Sequence, residues 1–157
     1  MIMRRTCGLV VLIAAAISFS MPARQAGAAL GDSAGSIASD RKALRAVQRA
    51  TTVRSGYTVQ EIGSDATTVR EYVSPAGVVF AVSWNGRVHP DLNALLGSYA
   101  GEYQSALKQT PRKRGLRRQK VESSQVIVEK WGHMRNLQGR AYAPALVPSG
   151  VVIDEIR

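Results

Sequence analysis

The sequence predicts an α+β domain: a small antiparallel sheet of four to six strands, a β-meander first, with one amphipathic helix packed on one face. Three observations predict it. From Tyr57 to Trp84, β-branched and aromatic residues come in short runs separated by turn residues. From Leu92 to Leu107 the apolar residues recur at the three-and-four spacing of a helix face. From Val121 the β-branched runs return, until Pro144 and Pro148 end regular pairing.

The first stretch reads as an address. Arg4 and Arg5 precede an uncharged run, Thr6 to Ala23, and small residues follow at Ala26 and Ala28, so residues 1–28 are expected to be a secretory signal peptide cut between Ala28 and Ala29. An uncleaved inner-membrane anchor is the alternative, and Pro22, Ser18 and Ser20 weigh against it. Cys7, the single cysteine, lies inside the run, which argues against a lipoprotein and removes thiol chemistry from the mature chain. Residues 29–56 are expected to be a basic arm or a weakly docked helix, capped by Ser39 or Asp40, because Arg41, Lys42, Arg45 and Arg49 surround few large apolar residues.

Residues 57–157 are expected to form a single domain. Tyr57–Ile62 and Thr67–Ser74 read as a hairpin around Gly63-Ser64-Asp65-Ala66, and Ser74-Pro75-Ala76-Gly77 as the next turn. In the third strand Val78, Phe80, Val82 and Trp84 alternate with small residues, which predicts that all four share one buried face. Pro90-Asp91 opens the helix, and Gly97 and Gly101 are expected to bring its backbone close to the sheet. Thr110 to Lys120, with its basic loop at 111–120, breaks every pattern. A strand from Val121 to Trp131, an extended segment from Leu137 to Ala143 and a short strand from Val151 to Ile156 complete the expectation.

The net charge of +10 invites a polyanion partner. Loss of Arg4, Arg5 and Arg24 with the leader leaves 18 basic against 11 acidic residues, and six of the 18 fall at Arg112, Lys113, Arg114, Arg117, Arg118 and Lys120. These six are the anion-binding candidates. The basicity thus belongs to an arm and one loop, which fits a local, salt-sensitive tether to an anionic envelope polymer or lipid head groups. The loop lacks the aromatic residues on which single-stranded nucleic acid stacks, so no specific nucleic-acid partner is expected.

Catalytic signatures are weak. Gly31-Asp32-Ser33-Ala34-Gly35 matches the GxSxG elbow of serine hydrolases, but no strand precedes it within the mature chain. His89, Asp91 and His133 are the residues from which a hydrolase site could be built, and it requires all three to converge. Phosphate loops, dinucleotide fingerprints and metal-ligand clusters are absent, so the sequence implies no cofactor, no metal and no assigned catalytic residue.

The run Arg70 to Trp84, then Pro90-Asp91-Leu92, Leu95-Leu96-Gly97 and Tyr99, resembles a family of exported proteobacterial proteins, domain of unknown function 2844. Ala29-Leu30-Gly31, Gly132-His133-Met134, Gly139-Arg140-Ala141-Tyr142 and Pro148-Ser149-Gly150-Val151 fit the same pattern. The resemblance implies a Gram-negative exported protein and transfers no catalytic residue. The expected function is a periplasmic or secreted, non-enzymatic binding or accessory module, with an envelope anion or an unidentified exported protein as partner.

Overall fold

The computed structural model describes residues 30–111, 115 and 117–157. The leader, the cut between Ala28 and Ala29, and Arg112, Lys113 and Arg114 lie outside the described residues.

Among the described residues, seven antiparallel strands form one sheet in the order β1-β2-β3-β4-β7-β6-β5. They are β1 (Val47–Arg54), β2 (Tyr57–Gly63), β3 (Thr67–Val73), β4 (Val79–Gly86), β5 (Arg118–Glu122), β6 (Ile127–His133) and β7 (Asn136–Tyr142). The α+β class and the opening meander stand, but the strand count exceeds the expected four to six. Two strands account for the excess. β1, rich in Thr and Val, pairs with β2 across the two-residue loop Ser55-Gly56. The expected Val121–Trp131 strand is really the end of β5 and most of β6, parted at Ser123, whose Oγ accepts from the Val126 amide at 3.0 Å and donates to the Val126 carbonyl at 2.9 Å.

The segment expected as a basic arm or a weakly docked helix contains helix α1 as well as β1, and its start is tied to the core. Leu30 is fully buried, and its amide donates to the Leu95 carbonyl at 3.0 Å. The Gly31 amide donates to Val79, and the Val79 amide donates back to Asp32, which stitches this segment beside β4. Helix α1 (Ile37–Ala43) follows a 3-10 turn at Ala34–Ser36, so Ser39 and Asp40 lie inside the helix rather than capping it. β1 is exposed along its whole length, and a bulge at Arg49 together with two arginines blunts this edge.

One face of the sheet carries the helices. α2 (Leu92–Leu96) and α3 (Ala100–Gln109) flank a 3-10 turn, Gly97–Tyr99. Asp91 caps α2 by accepting the Asn93 amide at 2.9 Å, as Pro90-Asp91 predicts. Leu95, Leu96 and Tyr103 enter a core with Leu30, Ile62, Val69, Val82, Trp84 and Val128. The expected single helix is broken because Gly97 adopts φ +48°, a conformation that glycine reaches cheaply. Gly101 is not a close-packing site, for a Cβ there would meet nothing within 4 Å.

The opposite face is partly covered by the C-terminal strap, residues 144–157, which contains 3-10 turns at Pro144–Leu146 and Ile153–Glu155 instead of the expected last strand. Several of its carbonyls accept amides of the strap's own turns, and two also accept side chains from the sheet: Ile153 O from Arg140, and Arg157 O from Arg70 and Tyr72. Phe80 corrects another expectation. β4 advances two residues, Val79 to Ala81, while β3 advances one, Val73 to Tyr72, and this bulge turns Phe80 away from Val82 and Trp84 onto the strap side. There it packs with Tyr57, Tyr72 and Ile156, at ring-centroid distances of 6.0 Å to Tyr57 and 6.3 Å to Tyr72. Val79 to Trp84 are consequently buried without a break, and the sheet centre has a core on each side.

Leu30→Ala should destabilise the protein by about 2–5 kcal/mol in urea unfolding, because it empties a fully buried site. A loss below about 0.5 kcal/mol, the level of an ordinary surface substitution, would show that residues 30–46 are not part of the cooperative fold.

Candidate functional site

The strap leaves part of its face open over β5, β6 and β7. Cross-strand partners share a face, so the register aligns Lys120, Glu129, Arg140 and Ser83 in one row and Arg118, Trp131, Gln138 and Asn85 in the next. Where the strap's edge meets these rows lies a cleft of about 310 Å³, with Asp154 and Arg157 on the strap side.

Arg140 is the centre of the site. Its Nε donates to Glu129 Oε2 at 2.8 Å, one terminal nitrogen to the Ile153 carbonyl at 2.6 Å, and the other to Asp154 Oδ1 at 3.1 Å. The Arg140 and Glu129 side chains are 9% and 7% exposed, so the pair is desolvated and must be compensated internally. Burial opposes the guanidinium charge, but the hydrogen bonds it donates to Glu129 and Asp154 outweigh it and hold Arg140 charged. Farther along the strap Arg70 bonds Glu61 at 2.8 Å. Tyr72 gives its one proton to the Arg157 carbonyl, so at 3.2 Å Ser83 Oγ is the donor to Tyr72.

The mouth of the cleft is looser. Arg118 is 69% exposed on its side chain and reaches Glu129 only at 3.8 Å. Trp131 is half-buried, and its indole N–H donates to Gln138 Oε1 at 3.1 Å, while the Gln138 amide donates to Asn136 at 2.9 Å. The ring is thereby fixed on an otherwise polar strand face. A smaller notch of about 160 Å³ on the helix face, around Leu44, Ile62, Val69 and Pro90, has no charged lining residue.

Of the six expected anion-binding residues, Arg117, Arg118 and Lys120 fall among the described residues, all exposed. Arg118 and Lys120 belong to β5 rather than to a loop. Alternation places both on the cleft face, where Arg118 is only loosely paired with Glu129 and Lys120 meets Glu122; the 2.8 Å bond to Glu122 raises the Lys120 pKa. Arg140, Glu129, Trp131, Gln138 and Asp154 were not among the expected site residues. The available signal was the alternation of Gln138 and Arg140 around Gly139, but a buried arginine is recognisable only once its partner strand is known.

His89, Asp91 and His133 are not brought together. His89 Nδ1 accepts from the Trp84 indole at 2.9 Å on the helix side, Asp91 caps α2, and His133 is exposed at the β6–β7 turn, on the Trp131 face by strand alternation. Among the described residues no hydrogen bond links the three, no group of three or more His, Cys, Asp or Glu is placed to hold a metal, and no helix is long and apolar enough to cross a membrane.

Trp84 sits over Gly139, where a Cβ would come within 2.2 Å of the indole. Its N–H needs an unprotonated His89 Nδ1, and burial, then the nearby Lys130 ammonium, lower the His89 pKa below its ordinary 6.5. The unfolded chain therefore binds the proton more readily, and this contribution to stability is present at neutral pH and lost as pH falls below about 6.5. Chemical denaturation of the native protein and of His89→Gln across that range should show a steeper acid loss for the native protein. Parallel curves would contradict the assignment.

No curated protein and no solved structure matches the chain. The sequence model of the family described as "Protein of unknown function (DUF2844)" matches residues 26–156. The quoted motifs from Ala29-Leu30-Gly31 to Pro148-Ser149-Gly150-Val151 all fall inside that span, and the chain belongs to this family of proteins of unknown function, DUF2844.

Proposed function

We propose that this protein is an exported, non-enzymatic binding or accessory module, and that its binding surface is the open part of the sheet face over β5, β6 and β7. One observation carries the proposal: an arginine with most of its side chain exposed, Arg118, stands at the mouth of a cleft of about 310 Å³ whose floor is held rigid by the buried Arg140–Glu129 pair. A fixed floor with a loosely paired cation at its rim is suited to accepting an anionic group. Export is supported by the order of charges, apolar run and small residues at positions 4–28.

A second reading is tethering to an anionic envelope surface through Arg112–Lys120. It is favoured by the exposure of Arg117, Arg118 and Lys120, which carries the basic run onto the same sheet face. In this arrangement the segment gathers an anionic polymer and the cleft holds one unit of it.

The test uses the exported form, whose intact mass should begin at Ala29. Replacing Arg112, Lys113, Arg114, Arg117, Arg118 and Lys120 by Gln should abolish retention on heparin at low salt. The native protein should elute earlier as salt rises, with a slope proportional to the charges engaged. Unchanged retention of the six-fold variant would end the tether reading, and a mass that includes residues 1–28 would contradict cleavage.

A further inference from the structure

We infer that the ligand of this cleft is an acidic sugar, a hexuronate unit of a glycan, lying on the Trp131 ring with its carboxylate on Arg118. The inference rests on the binding-module reading above and names its ligand class. Three kinds of group meet in the cleft, and each asks something different of a ligand.

Trp131 offers an apolar ring, fixed by its bond to Gln138, in the middle of a polar face. Such a ring accepts either a nucleobase or the C–H face of a pyranose. The acceptors decide between them. Glu129 is buried and taken by Arg140, but Asp154 is 83% exposed on its side chain and meets Arg140 through Oδ1 at 3.1 Å, so its carboxylate can accept further donors from a ligand. A pyranose brings several hydroxyl donors. A phosphodiester brings none near neutral pH and meets repulsion from the exposed Asp154. Charge agrees, since three arginines and two carboxylates line the cleft, an excess of one that suits one carboxylate per bound unit better than a polyphosphate. The planar guanidinium of Arg118 matches a carboxylate in a two-point bond. A volume of about 310 Å³ lies at the small end of ligand clefts, the size for a short part of a chain that continues over the open sheet face.

The test is fluorescence titration of the purified protein with oligogalacturonate, a neutral oligosaccharide of equal length, inorganic polyphosphate and an oligodeoxynucleotide. Trp84 is 2% exposed on the helix side, so a ligand-dependent change reports Trp131. Oligogalacturonate should bind, and the neutral sugar should bind at least about tenfold more weakly. Arg118→Gln should weaken oligogalacturonate binding by about tenfold or more. Trp131→Ala, followed by calorimetry, should do the same, while Trp131→Tyr, which retains a ring, should keep most of the affinity. Thermal melts show whether each variant is folded. Oligogalacturonate binding that is indifferent to both Arg118→Gln and Trp131→Ala would overturn the inference. Binding of polyphosphate or oligonucleotide through Arg118, without oligogalacturonate binding, would overturn the sugar and keep the binding module. No binding of any probe that depends on Arg118 would overturn both.

Discussion

A buried guanidinium is costly to solvate from within, and the structure is arranged to satisfy one. Arg140 lies on β7 beside the strap, tied to Glu129 on β6, to the Ile153 carbonyl and to Asp154. Lys, with a point charge on a flexible stem, could not hold these three acceptors in one planar fork. Because two of the three belong to the strap, the same group that neutralises Glu129 also sets where the strap leaves the sheet. On one side of that line the face is apolar, with Tyr57, Tyr72, Phe80 and Ile156 packed together. On the other it is open and polar, and the cleft begins there.

The sheet beneath is stiffened by burial on both sides of β4. A single bulge permits this, sending Phe80 to the strap while Val82 and Trp84 stay with the helices. Trp84 in turn presses on Gly139, next to Arg140, so the helix-side core and the charged network are separated by one backbone layer. The strand that carries Arg140 is therefore backed by packing on the other face. A rigid floor of this kind lowers the ordering cost of binding, which is what a shallow site on a strand face requires.

The sequence made the class, the meander and the α2 cap legible because each depends on local chemistry: β-branched runs, turn residues, and Asp91 two residues before the amide it accepts. What it hid was non-local. β1 carried a visible signal, two β-branched runs around Ser55-Gly56, but its four neighbouring basic residues drew the reading toward a solvated arm. The bulge at Phe80 leaves the alternating pattern intact while reversing its meaning for one side chain. The strap resembles a strand by composition, but its turns close on its own amides and two of its carbonyls accept from Arg140, Arg70 and Tyr72, partners far away in sequence. At the site, Arg118 and Lys120 were visible as charge, whereas Arg140, Glu129 and Trp131 acquire significance only when β5, β6 and β7 are placed side by side.

On the proposed reading, charge in this family member has two kinds of work: a concentrated basic run to meet a ligand, and a buried pair that shapes the surface beside it. Amide hydrogen exchange separates the role of the buried pair from that of apolar packing. In a Glu129→Leu, Arg140→Leu double variant, which leaves no buried charge uncompensated, the Glu155 and Ile156 amides that now bond Val152 and Ile153 should exchange much faster while the β4–β7 ladder stays protected. Unchanged protection of those two amides would show that the apolar packing of Ile156 holds the strap by itself, and that Arg140 does not set its edge.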